Sequence, residues 1–138
     1  MSNAPSDKRN LNLWPIGNCQ ASALVDDNAR FVWACIPRVD GDPIFPALVD
    51  DTPFDDEEKA GGFWAIDLEN CTSISQRYMR NAPVLITRKI DVSGSAIDII
   101  DFAPRYRRSG RTYRPNAFVR IVRAVTGSPR IRVHLRPA

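Results

Sequence analysis

The chain has 138 residues, enough for one domain with a buried core and too few for two domains of ordinary size. Hydrophobic residues make up 43% of it and charged residues 25%, which excludes a disordered or fibrous protein. No apolar run reaches the length of a membrane span, and the N-terminus has no apolar signal core. We therefore expect a cytoplasmic protein with no membrane partner.

The net charge of +3 hides two halves of opposite sign. Residues 1–101 contain all 16 acidic residues and 9 basic ones, a net charge of −7, whereas residues 102–138 contain 10 arginines and no acidic residue. A basic segment of this kind can bind nucleic acid, and it can equally face the acidic half or a protein partner. Charge alone does not choose between these partners.

The chain begins with a polar stretch, residues 1–10, which we expect to be a flexible lead-in to one domain at residues 11–138. Two apolar runs follow, Cys19–Val25 and Arg30–Ile36, the second rich in β-branched and aromatic residues. Asp26–Ala29 lies between them, and Asp and Asn side chains readily bond to their own backbone in turns. This pattern predicts a buried β-hairpin.

A charged loop follows the hairpin. Pro37 cannot donate to a strand ladder, and Pro43 restricts the backbone at the other end of the loop. Between them lie Arg38, Asp40 and Asp42, although neutral turn residues could have made the same connection. We interpret these three residues as a loop that faces a substrate or a domain interface. A local ion pair of small energetic value is the structural alternative.

The next segment is short and then strongly acidic. Ile44–Leu48 is too short and too rich in Pro for a long helix, and it predicts a single helical turn. Asp50–Lys59 is dense in carboxylates, but its spacing lacks the glycine and terminal glutamate of a calcium-binding EF-hand loop. We expect a solvated surface loop there.

From Gly62 onward the sequence predicts strand after strand. Six short runs are rich in β-branched residues and separated by turn signals: Phe63–Leu68, Ile74–Met79, Val84–Val92, Ala96–Phe102, Phe118–Val125 and Arg130–Arg136. The turns at residues 93–95 and 126–129 predict hairpins between the strands on either side. No helical period of useful length appears. The expected fold is all-β, an antiparallel β-sandwich with few or no helices.

The last run alternates strictly between apolar and polar residues. Its apolar positions are Ile131, Val133 and Leu135, and we expect them to form a dry face. Its polar positions are Arg130, Arg132, His134 and Arg136. We interpret Arg130, Arg132 and Arg136 as a basic face that meets a protein partner. Upstream, the loop of residues 104–116 interleaves arginines with Tyr106 and Tyr113, a composition that can bind phosphates, sugars or an acidic protein surface.

The residues that usually carry metal or nucleophilic chemistry are sparse. Cys19, Cys35 and Cys71 lack metal-ligand spacing, and His134, the one histidine, belongs to a different strand from the cysteines. We expect no metal site, no cofactor and no catalytic residue in this chain. The only glutamates are Glu57, Glu58 and Glu69, and two of them are adjacent in the acidic run.

Several motifs along the chain resemble the N-terminal, trehalase-like region of bacterial glycoside hydrolase family 15 proteins of the glucoamylase and trehalase type. The resemblance covers about residues 11–137. It rests on these segments: Ile16–Cys19, Ala23–Val25, Val32–Cys35, Pro37–Asp40, Phe45 with Ala47–Leu48, Gln76–Tyr78 with Asn81, Val84–Thr87, Asp101–Arg105, Val119–Arg123, and Arg132 with Leu135–Pro137.

This resemblance implies a specific arrangement. Proteins of this family carry an N-terminal antiparallel supersandwich, followed by a catalytic α/α barrel of six helical hairpins that holds the two catalytic glutamates. The resemblance implies that this chain ends before the barrel and before the sandwich is complete. Its partners would then be its own C-terminal catalytic barrel and, in the full-length enzyme, an α-glucoside substrate.

Three functions remain open on the sequence. The first is the non-catalytic sandwich domain of a glycoside hydrolase, which supports the barrel and lends a loop to its active-site mouth. The second is a free-standing carbohydrate-binding module, based on the tryptophans and tyrosines, most of which lie in strands and are better explained as core. The third, ranked last, is a basic nucleic-acid-binding domain. Under the first function the isolated chain is inactive.

Overall fold

A computed structural model describes residues 11–138, so the predicted lead-in at 1–10 lies outside the described residues. The described chain is built from antiparallel strands and one 3-10 turn, Ala47–Val49. The strands are β1 (Trp14–Gly17), β2 (Ser22–Val25), β3 (Phe31–Cys35), β4 (Pro43–Phe45), β5 (Phe63–Leu68), β6 (Cys71–Tyr78), β7 (Leu85–Asp91), β8 (Ala96–Phe102), β9 (Tyr106–Arg108), β10 (Arg111–Tyr113), β11 (Val119–Thr126) and β12 (Ile131–Arg136). The predicted all-β fold is confirmed.

Two sheets form the sandwich. The first has the strand order β1-β2-β3-β5-β12, with β4 paired to β3, and the second has the order β11-β8-β7-β6. A separate two-stranded hairpin is formed by β9 and β10. Within residues 11–138, no helix is long and apolar enough to cross a membrane.

Aspartate side chains shape the two hairpins that the sequence predicts correctly. Between β2 and β3, Asp26 Oδ1 accepts hydrogen bonds from the backbone N–H groups of Asn28 and Arg30, both at 2.9 Å. Between β7 and β8, Asp91 Oδ1 accepts from the N–H groups of Ser93 and Ser95, also at 2.9 Å. Both turns therefore satisfy their backbone donors locally, as expected for Asx turns.

The core lies between the two sheets at the end formed by β2, β3, β5, β7 and β8. Its fully buried members include Val25, Phe31, Leu85, Ile97 and Ile99. A second, smaller cluster lies on the outer face of the first sheet, where the 3-10 turn and Phe54 cover Phe63. Phe54 thus anchors the acidic loop, whose carboxylates are mostly exposed as predicted.

The predicted hairpin between the last two strands is wrong. β11 pairs with β8 in the second sheet, while β12 pairs with β5 in the first, so residues 127–130 cross from one sheet to the other. The crossing packs on the β7–β8 turn, where Ser128 N–H donates to Ser95 Oγ at 3.3 Å. Gly127 has φ 70° and lies so close to Ser95 that a Cβ would clash.

The predicted dry face of the last strand is also wrong. Ile131, Val133 and Leu135 are 43%, 54% and 57% exposed. They lie opposite Leu68, Ile66 and Trp64 of β5, so they do point toward the inter-sheet side, but β12 is the edge strand of its sheet. The second sheet does not extend far enough to cover them.

Candidate functional site

The charged loop Arg38–Asp42 is the connection between β3 and β4. Arg38 Nη2 donates to Asp40 Oδ2 at 2.8 Å, and these side chains are 70% and 65% exposed. Asp42 is exposed as well. The local ion pair named as the structural alternative is thus present, and it holds the two charges in one orientation on the surface. A role at a substrate or domain interface stays a prediction.

The polar side of β12 carries the predicted arginines, and two acidic residues of other segments, Glu57 and Asp67, lie close to it. Arg136 Nη1 donates to the backbone carbonyls of Glu57 and Ala60 at 2.7 and 3.3 Å, so this half-buried arginine holds the acidic loop of its own chain. Arg132 lies 4.0 Å from the Glu57 carboxylate. Arg130 and Arg132 are exposed. A role of Arg130, Arg132 and Arg136 at a partner interface stays a prediction.

An apolar strip lies on the inner side of this edge. We call Ile131, Val133 and Leu135, together with the exposed Ala124 of β11, the open edge. β12 is an edge strand of the first sheet, and β11 is an edge strand of the second. Contiguous exposed apolar surface of this kind marks an interaction site more often than isolated apolar residues do.

Asp98 and Asp101 do not form a catalytic carboxyl pair, because they lie three positions apart on β8 and point to opposite faces of the sheet. Asp98 accepts from Arg88 at 2.8 Å, and this hydrogen bond, opposed by desolvation, holds the pKa of its carboxyl below the usual range. Burial raises the pKa of Asp101, the direction an acid catalyst needs, while Arg120 at 2.7 Å opposes the shift. The Asp101 side chain is 0% exposed, so no sugar can reach it.

The carboxylates of the acidic loop are mostly exposed. Glu57 is 77% exposed in its side chain, so water has access to it. Within residues 11–138, no group of three or more His, Cys, Asp or Glu side chains could hold a metal ion.

The loop of residues 104–116 contains a feature that the sequence did not predict, the hairpin β9–β10. We call this whole loop, with its hairpin, the arginine arm. Tyr106 and Tyr113 stack across it with ring centroids 5.3 Å apart and an interplanar angle of 16°. All five of its arginines are exposed: Arg105, Arg107, Arg108, Arg111 and Arg114. The interleaving of Arg and Tyr was the available signal, but it did not reveal the strand pairing.

The base of the arm is tied to the sandwich by Asn18, which is 3% exposed. Asn18 Nδ2 donates to the carbonyls of Pro104 and Pro115, both at 2.9 Å, while its Oδ1 accepts from the N–H groups of Gln20 and Ala21. One carboxamide therefore fixes the two ends of the arm. Sequence reasoning missed this residue because its partners lie 86 and 97 positions away.

A groove of about 810 Å³ runs from the base of the arm along β1 and the end of β8. Its walls are mainly apolar and include Ile16, Val84 and Phe102, and Arg105 and Tyr106 of the arm lie at one end. The residues that line it include no acidic side chain. The arm and the groove thus form one continuous surface.

The fold and these sites define an antiparallel β-sandwich with an open apolar edge, in which the two aspartates of β8 are buried and paired with arginines. The chain belongs to the family of trehalase-like N-terminal domains, whose profile matches residues 8–138. This confirms the resemblance recognised in the sequence.

One relative extends this comparison. Trehalase 1 of Sulfolobus acidocaldarius is 34% identical to the chain over 89 residues, which are 64% of this chain and 14% of that relative. The match thus spans about one seventh of the length of the curated relative, which is a larger protein than this chain. No solved structure matches the chain.

Proposed function

We propose that the chain is the N-terminal, non-catalytic domain of a family 15 glycoside hydrolase of the trehalase or glucoamylase type. In this function it supports a C-terminal catalytic α/α barrel that acts on α-glucosides in carbohydrate metabolism, in the cytoplasm. Membership of the trehalase-like N-terminal family and the much greater length of the trehalase relative support this proposal.

The observation that carries the proposal is the open edge. Full burial of a Val, Leu or Ile side chain stabilises a protein by about 1.5–3 kcal/mol, and three such side chains are left about half exposed on β12. A covering segment would gain that free energy. We propose that the chain following this domain, first further sandwich strands and then the barrel, supplies the cover and makes 11–138 the first part of a larger sandwich.

We further propose that the Arg38–Asp42 loop reaches the mouth of the barrel's active site. Its charges are exposed and held in one geometry by the Arg38–Asp40 ion pair. In the full-length enzyme, Arg38→Ala and Asp40→Ala should lower kcat/KM at least several-fold while changing the melting temperature little, because an exposed ion pair contributes only about 0–1 kcal/mol. Arg123→Ala, which removes another exposed arginine, is the matched control. Unchanged turnover in both loop variants would reject this role.

The main test of the proposed function is an activity assay. Acid-base cleavage of an acetal needs a carboxylic acid and a carboxylate on opposite sides of one sugar. The two aspartates of β8, Asp98 and Asp101, are instead buried and paired with arginines. The purified 138-residue chain should therefore release no glucose from trehalose, maltose or soluble starch above a buffer blank, whereas the full-length enzyme should. Steady release that persists through repurification and is abolished by Asp40→Asn would contradict the proposal.

A free-standing carbohydrate-binding module is the second candidate, and one observation favours it. Tyr106 and Tyr113 are 51% and 40% exposed, and exposed aromatic rings can stack on sugars. The tryptophans do not add to this argument, because Trp14 and Trp64 pack against the core. Calorimetric titration of the isolated chain with maltoheptaose separates the two candidates, since only a binding module should give saturable heat that Tyr106→Ala removes.

A further inference from the structure

The arginine arm has a charge arrangement that is unfavourable in the isolated chain. Arg108 and Arg111 are direct cross-strand partners on either side of the turn, and like charges in that position destabilise a hairpin. Within residues 11–138, none of the five arm arginines forms an ion pair with a carboxylate. The repulsion between Arg108 and Arg111 therefore remains in the isolated chain, and a single acidic residue paired with them would relieve it.

The two faces of the arm differ. Side chains alternate along a strand, so Arg108 and Arg111 lie on the same face as the stacked Tyr106 and Tyr113, while Arg107 lies on the other face. Tyr106 also lines the apolar groove. Arg108 and Arg111 thus lie on the face of the arm that carries Tyr106, a residue of the groove wall.

The base of the arm is also fixed to the sandwich by hydrogen bonds at both of its ends. Both chain ends at its base are hydrogen-bonded to the buried Asn18 carboxamide, which is itself fixed by two backbone N–H donors. A surface fixed in this way loses little conformational entropy when it binds a partner. The groove has apolar walls and no acidic lining residue, and fixed cations lie beside it. The complementary partner is therefore an acidic segment that also carries apolar side chains.

We propose that the groove and the adjoining arm face bind an acidic surface segment of the catalytic region of the same polypeptide. Apolar side chains of that segment would enter the groove, and its carboxylates would pair with Arg105, Arg108 and Arg111. This inference rests on the proposed function and adds to it the surface that holds the two regions together.

Linkage within one polypeptide makes such a contact effective. Each exposed ion pair contributes only about 0.2–1 kcal/mol, too little for stable association of separate molecules. Two regions of one polypeptide, however, can face each other at an effective concentration in the millimolar range, where weak contacts are occupied. Since exposed pairs are screened by salt, the contact should weaken as the ionic strength rises.

Hydrogen exchange tests the proposal. Amides of residues 104–116 should exchange at least several-fold more slowly in the full-length enzyme than in the isolated 138-residue chain at about 50 mM salt, and this protection should shrink at about 500 mM. The β7–β8 turn, which includes the 70% exposed Val92, is the internal reference and should exchange equally in both proteins. Equal exchange of the arm in the two proteins would overturn the inference.

Two matched variants assign any protection to the groove side. Arg108→Glu should abolish arm protection in the full-length enzyme, yet slow arm exchange in the isolated chain, because it creates an opposite-charge pair with Arg111. Arg107→Glu, on the other face, should leave the protection intact. Equal loss of protection with Arg107→Glu and Arg108→Glu would also contradict the inference.

A third variant tests the base of the arm. Asn18→Asp replaces the two N–H donors of the carboxamide by a carboxylate oxygen and should speed arm exchange in both proteins.

The same exchange data distinguish failure of this inference from failure of the proposed function. They also distinguish the proposed occupant of the groove from other occupants. Protection of β12 without protection of the arm would leave the proposed function standing and refute the arm contact, while protection of neither would refute both. Concentration-dependent protection in the isolated chain would identify a second copy as the occupant instead. Protection that appears only when duplex DNA is added would identify a polyanion, and either result would overturn the proposal.

Discussion

The sandwich has a closed end, where the second sheet covers the first, and an open end, at the open edge. The two ends are built from strands of similar composition, but only the closed end is covered by a second sheet. At the closed end, β7 and β8 lie across from β3 and β5, and Leu85 and Ile99 are 0% exposed. At the open end, Leu135 of β12 points to the same inter-sheet side and is 57% exposed. Alternation along a strand therefore tells which residues face inward, but not whether a second sheet covers them.

The two ends also differ in how they hold charge. Asp101 and Arg120, with side chains 0% and 1% exposed, form an ion pair between the sheets. Arg120 further donates to the carbonyls of Trp64 and Ala29, and its guanidinium lies 4.3 Å from the ring centre of Phe31. At the open end, the side chain of Arg132 on β12 is 71% exposed, and on β11 that of Arg123 is 65% exposed. Of these groups only the Asp101–Arg120 pair is desolvated.

The largest expected effect comes from breaking that pair. Arg120→Met leaves the Asp101 carboxylate buried without its cation and should lower the free energy of unfolding by about 3–5 kcal/mol. Arg123→Met is the control, because that guanidinium is 65% exposed and Asp98 keeps its stronger contact with Arg88; its cost should stay below about 1 kcal/mol. Denaturant unfolding of both variants measures the difference. Equal costs would mean that the buried pair adds no more than a surface pair.

Two leucines, one at each end of the sandwich, test directly whether the inter-sheet side chains are covered. Leu85→Ala should cost about 2–5 kcal/mol in the isolated chain because it leaves a cavity, whereas Leu135→Ala should cost about 0.5 kcal/mol or less. If the open edge is covered in the full-length enzyme, Leu135→Ala should there become several-fold more costly while Leu85→Ala stays the same. Urea denaturation of all four proteins gives the values. A Leu135→Ala cost that stays small in the enzyme would show that the edge remains exposed.

Much of the fold could be predicted because its signals are local. The bounds of β5 and β8, Phe63–Leu68 and Ala96–Phe102, follow from short β-branched runs between turns. The two correct hairpins follow from the turn residues at Asp26–Ala29 and at 93–95. The pairing of β11 and β12 could not, because the turn of residues 126–129 looks like any hairpin turn. Its contact with Ser95 is 33 residues away in sequence, and nothing local encodes it.

The candidate site shows the same division. The exposed Arg38–Asp40 pair lies within one short loop and could be anticipated. Asn18, Arg120 and Lys89 all have partners that are distant in the sequence. In isolation, each of these polar residues looks like a surface position. Burial of a polar residue depends on the opposing sheet, which periodicity does not show.

The smallest expected effect concerns Lys89, a buried cation of the closed end, and it appears as a dependence on pH. Lys89 is 1% exposed, its Nζ donates to the Ile66 carbonyl at 2.8 Å, and desolvation lowers its pKa from the ordinary 10.5, although Asp67, Cys71 and Asp26 favour the ammonium form. Between the lowered pKa and 10.5 the unfolded chain binds a proton that the folded chain lacks, so stability rises with pH in that interval.

Compared with Lys89→Met, the chain with Lys89 should therefore gain stability as the pH rises toward 10.5, with a slope of at most about 1.4 kcal/mol per pH unit. The Cys71 thiol titrates in the same range, since burial raises its pKa above 9.0, and this alone makes stability fall with pH. Both proteins are therefore compared in a Cys71→Ala background. A difference between them that stays flat up to pH 10.5 would show that the folded chain leaves the pKa of Lys89 at its ordinary value and that the closed end solvates this cation as well as water does.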